Sequence, residues 1–479
     1  MEAKIREERA GVFRCTSAPQ ILVGDLLRAS GSEAAQPLLE QCRKQFHSEA
    51  MQPAAPETRL PEGPFVLVGL VKDHPALKQL EADLKSRLPK DGLGQEGYLL
   101  EVAPERILIA AEKPAGAYYG VLKLLERAGD AAASWDIPAV RIADWPTMRW
   151  RGMHVLVNSR DDLPAVEQLL TRFLPQYRLN RLILEINYNF QFRSHPEISS
   201  GPNALTVEDC RRLSALAKQN NVHLIPMLNC LGHQSWAETT GAFLRAHPEF
   251  DETPDLPANN PGIYCRSWCP SHPDVNKVVF DLFDELIDAF DADAFHVGMD
   301  EVFILGQCPR CKGKANAELF ARAVNDYHSH LAGKRKVQML MWGDRLLDDA
   351  QMHYGEWESS RNDTAPALHL IPKDIVICDW HYEPLADFPS VKYFQEQGFA
   401  VWPSGWNSEE NAQRLAGCAL KNTSDRMLGY LATTWVGVRS VAAGLAGDAQ
   451  ALTGNKNVSG VVAAIRKGAR LAWEGAPQP

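Results

Sequence analysis

Residues 275–301 read VNKVVFDLFDELIDAFDADAFHVGMDE. Val275, Val278, Val279, Leu282, Phe283, Leu286, Ile287 and Phe290 recur at steps of three and four, the period of a helix with one buried face. Ala294–Gly298 follows as a short run, apolar but for His296, and it ends on two adjacent carboxylates, Asp300 and Glu301. A strand without polar alternation is buried on both faces, as in a parallel sheet covered by helices.

The same unit repeats to either side. Strand-like runs lie at Met153–Val157, Leu182–Ile186, His223–Met227, Ala294–Gly298, Val337–Met341, Ile375–Asp379, Ala400–Trp402 and Gly429–Thr433. Amphipathic stretches between them include Val207–Gln219, Val275–Phe290, Ala315–Leu331 and Glu409–Lys421. Eight such units predict an α/β fold, a (β/α)8 TIM barrel over residues 150–479. An open doubly wound sheet is the rival, but no Gly-rich phosphate loop or dinucleotide fingerprint follows the first strand. Residues 1–135 read as a small α+β domain. Its helices are Ala34–Phe46, Pro75–Leu88 and Ala115–Ala128, and its strands Phe65–Val71, Tyr98–Val102 and Ile107–Ala111. Prolines punctuate Ile137–Pro146, so residues 136–149 read as a linker.

A chain of 479 residues suits one large and one smaller domain. With 45% hydrophobic and 23% charged residues, disorder is excluded as its main theme. Sixty acidic against fifty basic residues give a net charge of −10, which argues against a nucleic-acid partner. No apolar run approaches the ~20 residues of a membrane helix. The start, MEAKIREERAGVFRC, has no apolar signal-peptide core, so a cytoplasmic location is expected, although a removed leader would leave the same start. The ten cysteines are scattered, as in a reduced compartment. Cys265, Cys269, Cys308 and Cys311 form two close pairs, and the alternatives there are a structural zinc ion or free thiols. No cofactor is implied, and the sequence leaves the oligomeric state open.

Barrel active sites sit at the C-terminal ends of the strands. Asp300 and Glu301 stand there, and two carboxyls in a confined place have their pKa values pushed apart, giving one acid and one anion. A helix-capping acidic pair is the plainer reading. Trp342, Trp380, Trp402 and Trp435 end four successive strands, which suggests an aromatic-walled pocket for the apolar face of a sugar ring, against simple core filling. Polar candidates are Arg151 before strand one, His233 after strand three, Asp344 after five, and Asp379, His381 and Tyr382 about the end of six. His154 and His296 lie within strands and read as core histidines; Asp161 and Asp162 read as helix caps.

These residues resemble the family 20 glycoside hydrolases, the β-N-acetylhexosaminidases. His296-Val297-Gly298-Met299-Asp300-Glu301 is similar to that family's His-x-Gly-Gly-Asp-Glu signature. Trp150-Arg151-Gly152, Leu224-Ile225-Pro226 with Gly232-His233, and Met341-Trp342-Gly343-Asp344 resemble its first, third and fifth strands. Gly97-Tyr98 through Gly116-Ala117-Tyr118-Tyr119-Gly120 is similar to the small domain before many family barrels. Three departures bear on hydroxyl recognition. Glu185-Ile186-Asn187-Tyr188-Asn189 replaces a frequent Asp-Asp pair, Leu156 stands where Asp is usual, and Trp435-Val436-Gly437 lacks an acidic residue. With His154 and Glu185, the pattern is closer to the hexosaminidase D branch. The resemblance implies an exo-acting hydrolase of terminal β-linked GlcNAc or GalNAc, with a small glycan or glycoconjugate as substrate. It implies retention by substrate assistance, the acetamido oxygen attacking to form an oxazoline. Glu301 would be the acid and base, and Asp300 would hold the acetamido N–H. Tyr382 would donate to the acetamido oxygen, Trp342, Trp380 and Trp435 would form walls, and Arg151 would bind ring hydroxyls. The other functions weighed are a non-catalytic glycan-binding barrel and a metal-dependent barrel hydrolase.

Overall fold

The computed structural model describes residues 1–47, 51–129, 134–236, 239–260 and 263–476. The chain divides into two compact units, the first comprising Met1–Thr147 and the chain's end from Trp473. Its sheet contains β1 (Ile5–Cys15), β2 (Gln20–Gly24), β3 (Met51–Ala54), β4 (Phe65–Leu70), β5 (Tyr98–Ala103), β6 (Arg106–Ala111) and β7 (Trp135–Asp144). The strand order is β1-β7-β5-β6-β4-β2-β3. In β4, Val66 and Val68 pack against helices Gln36–Phe46 and Pro114–Ala128, while Phe65 and Leu67 pack against Pro75–Leu84. Helices on both faces explain why this strand is apolar throughout. Trp473 closes the unit: its ring packs on Tyr119 and its indole N–H donates to Asp144 (2.9 Å).

The predicted linker is largely β7. This strand pairs antiparallel with β1 and with β5, and Arg141 reaches Glu101 at 2.5 Å. Pro138 lies where pairing to β5 has ended and beside the register shift in β1, a place where a missing N–H leaves no gap in the ladder. The first unit therefore runs past residue 135. Residues 130–133 and 477–479 of the predicted domains lie outside the described residues.

The second unit spans Met148–Ala472. Its strands are β8 (Trp150–Leu156), β9 (Arg181–Glu185), β10 (His223–Cys230), β13 (Ala294–Gly298), β14 (Gln338–Trp342), β15 (Val376–Trp380), β16 (Ala400–Gly405) and β17 (Gly429–Ala432). Between β10 and β13 lies a small hairpin of β11 (Ser235–Trp236) and β12 (Thr239–Thr240). The eight close as β10-β13-β14-β15-β16-β17-β8-β9, all parallel. This is the (β/α)8 barrel expected from the repeat. Ile183, Met227, Leu340, Val376, Trp402 and Leu431 are among the side chains filling its interior. No helix among the described residues is long and apolar enough to cross a membrane.

Candidate active site

Two neighbouring strands end in left-handed backbone. After β13, Gly298 (φ 69°), Met299 (φ 75°) and Glu301 (φ 50°) bend the chain; after β10, Leu231 (φ 64°) and His233 (φ 55°) do the same. A regular strand would send Asp300 and Glu301 to opposite faces. The bend brings both against His233, whose Nε2 lies 3.1 Å from Asp300 Oδ2 and 3.4 Å from Glu301 Oε2. Gly298 is required twice over, since a Cβ there would also meet Asn229 Oδ1 at 2.3 Å. The non-glycine positions cost roughly 1–3 kcal/mol each, a strain that persists only where surrounding contacts fix it. One such contact is the Glu301 N–H donating to Asp344 Oδ2 at 2.9 Å.

Burial opposes charge on all three groups, and their mutual fields decide the outcome. Burial would lower the pKa of His233, but the charge and hydrogen bond of Asp300 outweigh it and raise it to about 9. Burial would raise Asp300, but the His233 cation holds it below the usual carboxylate range. Glu301 is pushed up to about 7 by burial and by the Asp300 charge. The pair is thus split into a committed anion and a proton donor near neutrality. Asp300 Oδ1 is buried and has no hydrogen-bond partner among the described residues. A buried oxygen left unpaired is costly unless a ligand brings the donor.

That oxygen belongs to a residue lining a cavity of about 580 Å³ at the barrel mouth, with Glu185, Asn187, Asn229, His233 and Trp435 among its other walls. The volume is ordinary for a small-molecule site. Glu185 accepts from His154 (2.9 Å), Asn187 (2.9 Å) and Asn229 (2.8 Å), so its side chain is held in place. Trp342 packs on His296 and Trp435, and Trp380 on Tyr382 (4.8 Å between rings). The Trp435 indole donates to Tyr382 Oη, and the phenol also hydrogen-bonds Thr433, whose own hydroxyl donates to the Gly405 carbonyl. Tyr264, beside Glu301, hydrogen-bonds its carboxyl and packs against Trp236 and Trp357, both partly exposed. A larger hollow of about 880 Å³ lies at the opposite, N-terminal ends of the strands, bordered by His223, Asp293 and Val337. The fold does not place chemistry there.

Asp300, Glu301, His233, Trp342, Trp380, Tyr382 and Trp435 are therefore brought to one end. Four expectations are corrected. Arg151 opens β8 at the opposite end, and its guanidinium donates to the carbonyls of Arg178 (2.7 Å), Met148 (2.9 Å) and Arg149 (3.3 Å). Trp402 is no pocket wall: β16 continues three residues beyond it, and its ring packs on Trp150 in the interior. Asp344 accepts from the Glu301 N–H, Arg345 (2.7 Å) and Trp380 (3.2 Å), so both its oxygens are engaged inside the protein. It fixes the backbone at Glu301 rather than facing the cavity. Cys265 donates to the Glu301 carbonyl (3.2 Å) and stands apart from the other three cysteines. Asp379 and His381 are buried in a network with Ser390 and Glu358. Asn187, Asn229 and Tyr264 went unpredicted. Only their places could have pointed to them: Asn187 just beyond β9, Asn229 at the end of β10 and Tyr264 before Cys265.

A family model described as "Glycosyl hydrolase family 20, catalytic domain" matches residues 178–439, and its "domain 2" matches residues 12–145. The chain belongs to glycosyl hydrolase family 20. Within the family it is similar to the β-hexosaminidase of Akkermansia muciniphila, 26% identical over 245 residues that cover 46% of this chain and 48% of that one. It is also similar to β-hexosaminidase subunit A2 of Dictyostelium discoideum, 26% identical over 259 residues, covering 50% of this chain and 45% of that one. The matches thus span about half the length of these relatives. Among solved structures, β-N-acetylhexosaminidase from Bacteroides fragilis shares the fold, with a TM-score of 0.70 at 14% identity over 100% of this chain and 91% of that one. A product (GlcNAc) complex of a Streptomyces plicatus β-hexosaminidase gives 0.68 at 16%, over 98% and 89%.

Proposed function

We propose that this family 20 chain is an exo-β-N-acetylhexosaminidase that releases terminal β-linked GlcNAc or GalNAc with retention, using the substrate's acetamido group as nucleophile. The observation that carries the reading is the unpartnered Oδ1 of a buried, anionic Asp300 at the cavity. It suits an acetamido N–H. As the acetamido oxygen attacks the anomeric carbon, positive charge grows on that nitrogen, and an anion fixed beside it stabilises the oxazolinium. The nucleophile is tethered, so attack gains the advantage of proximity. The His233 cation keeps Asp300 ionised. Glu301, at about 7, protonates the departing oxygen and then takes a proton from water. Tyr382 supplies its hydroxyl hydrogen to the acetamido oxygen, and Trp342, Trp380 and Trp435 enclose the ring. The GlcNAc complex known for the Streptomyces plicatus relative supports the sugar class.

The test is a panel of aryl glycosides. N-acetyl-β-glucosaminide and N-acetyl-β-galactosaminide should turn over, and the matching β-glucoside, with hydroxyl at C2, should be almost inert. Comparable turnover of the glucoside, or a sugar adduct on Asp300 after treatment with a 2-fluoro sugar, would sink the substrate-assisted reading.

A further inference from the structure

Beyond the sugar pocket, a second group of chemically able side chains is buried between the loops that follow β10 and β13. We propose that Glu252, Cys269, Cys308 and Cys311 form a structural zinc site that pins the loop carrying Glu301. One ligand atom of each residue lies within 4.8 Å of all the others, and all four residues are buried. Cys269 Sγ is central, 3.3 Å from Cys308 Sγ and 3.5 Å from Cys311 Sγ. Tetrahedral zinc with Zn–S bonds of about 2.3 Å sets sulfurs roughly 3.8 Å apart, so small movements would admit the ion. A disulfide needs about 2.05 Å and could join only two of the three sulfurs, leaving the third thiol and the carboxylate together.

Glu252 joins the cysteines as the fourth ligand. Its residue is wholly buried; Oε1 accepts from the Gln307 N–H at 2.9 Å, and its remaining side-chain partners are the thiols of Cys308 and Cys311. A wholly buried carboxyl set among three thiols gathers four acidic ligand groups in one dry place, and a cation is what would let them ionise together. The turn of Cys308-Pro309-Arg310-Cys311 is closed by the Cys311 and Lys312 N–H groups donating to the Cys308 carbonyl (3.0 and 2.8 Å). The Cys311 and Ser271 N–H groups also face the sulfurs of Cys308 and Cys269, and zinc binding would release the thiol protons. Three thiolates and one carboxylate suit zinc and fill its four positions, so the ion would be structural, with no open place for water.

The placement gives the ion its function. Glu252 and Cys269 lie on the loop that also carries His233 and Tyr264, and Cys308 and Cys311 lie on the loop that begins with Glu301. Cys265, four residues before Cys269, donates to the Glu301 carbonyl, and the Trp268 N–H donates to the Leu231 carbonyl (3.0 Å). Cross-linking the two loops would hold the bent backbone that brings acid, anion and histidine together.

Elemental analysis of the natively purified chain tests this, together with its absorption spectrum after replacement of the metal by cobalt(II). We expect one zinc per chain, and cobalt should give a thiolate-to-metal charge-transfer band with tetrahedral d–d bands. Thermal unfolding should fall on chelation and recover with zinc. The double variant Cys308→Ser/Cys311→Ser should lose the metal, whereas Cys265→Ser should keep it. Glu252→Gln should weaken cobalt binding, measured against a competing chelator, by at least about tenfold, the loss that even outer-shell changes produce. A zinc-free protein whose cobalt form lacks thiolate bands would overturn the proposal. So would a Cys269 disulfide in freshly alkylated protein, metal loss in Cys265→Ser, or unchanged affinity in Glu252→Gln. The spectrum is read on the unaltered protein, so a double variant that fails to fold leaves the test standing.

Discussion

The two ends of the barrel bury charge in opposite ways. At the N-terminal end Arg151, wholly buried, donates to three backbone carbonyls, and the Asn180 side chain both accepts from the Arg151 N–H (3.0 Å) and donates to the Arg149 carbonyl (2.8 Å). At the C-terminal end Asp300 has one oxygen on His233 and the other on nothing among the described residues, while Glu301 sits near neutrality. A charge whose partners are all protein stabilises one geometry. A charge with a bare atom facing a cavity is held ready for a ligand, at a cost in stability met by the rest of the fold. Burial alone therefore does not separate structural from chemical residues; the partner count does.

The largest effects should come from the C-terminal end. Glu301→Gln should lose about 10²–10⁴-fold in kcat on glycosides with poor leaving groups, the usual contribution of a general acid. Activated aryl groups depart with less help, so their loss should be smaller. Wild-type rates on both classes would remove Glu301 from the role of acid. Asp300→Ala and Asp300→Asn should each lose about 10²–10³-fold, the scale of one preorganised stabilising contact. Both should also weaken a thiazoline mimic of the oxazoline, because one contact serves intermediate and inhibitor alike. The amide can accept the hydrogen bond but cannot offset the positive nitrogen.

The pH profile should separate the three groups. The acid must be protonated, so activity should fall as pH rises through about 7, where Glu301 loses its proton. Asp300 must be ionised, and its lowered pKa should carry activity below the ordinary carboxylate range. His233→Gln removes the cation that depresses Asp300, so the acidic limb of kcat/KM should move upward in pH. An unmoved limb would mean that His233 does not hold that charge.

At the N-terminal end the prediction reverses. Arg151→Met should leave KM and kcat of the folded protein unchanged. It should lower Tm, since each carbonyl left unpaired in the interior costs roughly 1–3 kcal/mol. A raised KM with normal Tm would return Arg151 to the sugar site.

The difference between the ends was partly legible in the sequence. The eight barrel strands could be read because strands buried on both faces are mostly apolar and do not alternate. The edge strand β1, IREERAGVFRC, could not: among the described residues it pairs with β7 alone and exposes most of its residues, so nothing in it repeats. Asp300 and Glu301 stood out as carboxylates directly after a buried strand. Trp402 misled because the apolar run Ala400–Trp402 stops at it, whereas β16 runs on to Gly405, with Pro403 opposite Asp379 on β15. Depth along a barrel strand depends on the register between strands, which no single segment states. Asp344 misled for another reason. Its place at a strand end was right, but a sequence does not show that Arg345, Trp380 and the Glu301 amide already occupy its oxygens.

The smallest effect tests the depth of Trp402 directly. A Cβ added at Gly152 would lie 2.1 Å from the far edge of the Trp402 indole, so Gly152→Ala should overpack the interior at a cost of about 1–3 kcal/mol. Trp402→Phe removes that edge and leaves a void, which should also destabilise, on the scale of other large-to-small core changes. Together the new methyl enters the space the indole has left. The double variant should then be more stable than the sum of the single losses predicts, with a coupling of roughly 0.5–3 kcal/mol for residues in contact. Leu431, 3.0 Å from the added carbon, limits how complete the rescue can be. None of the three variants should change KM for an N-acetylhexosaminide, because the cavity lies above this layer. Additive losses would mean the indole does not lie against Gly152. A KM that rises in Trp402→Phe alone would place that ring at the sugar after all, and would erase the distinction between the interior layer and the mouth.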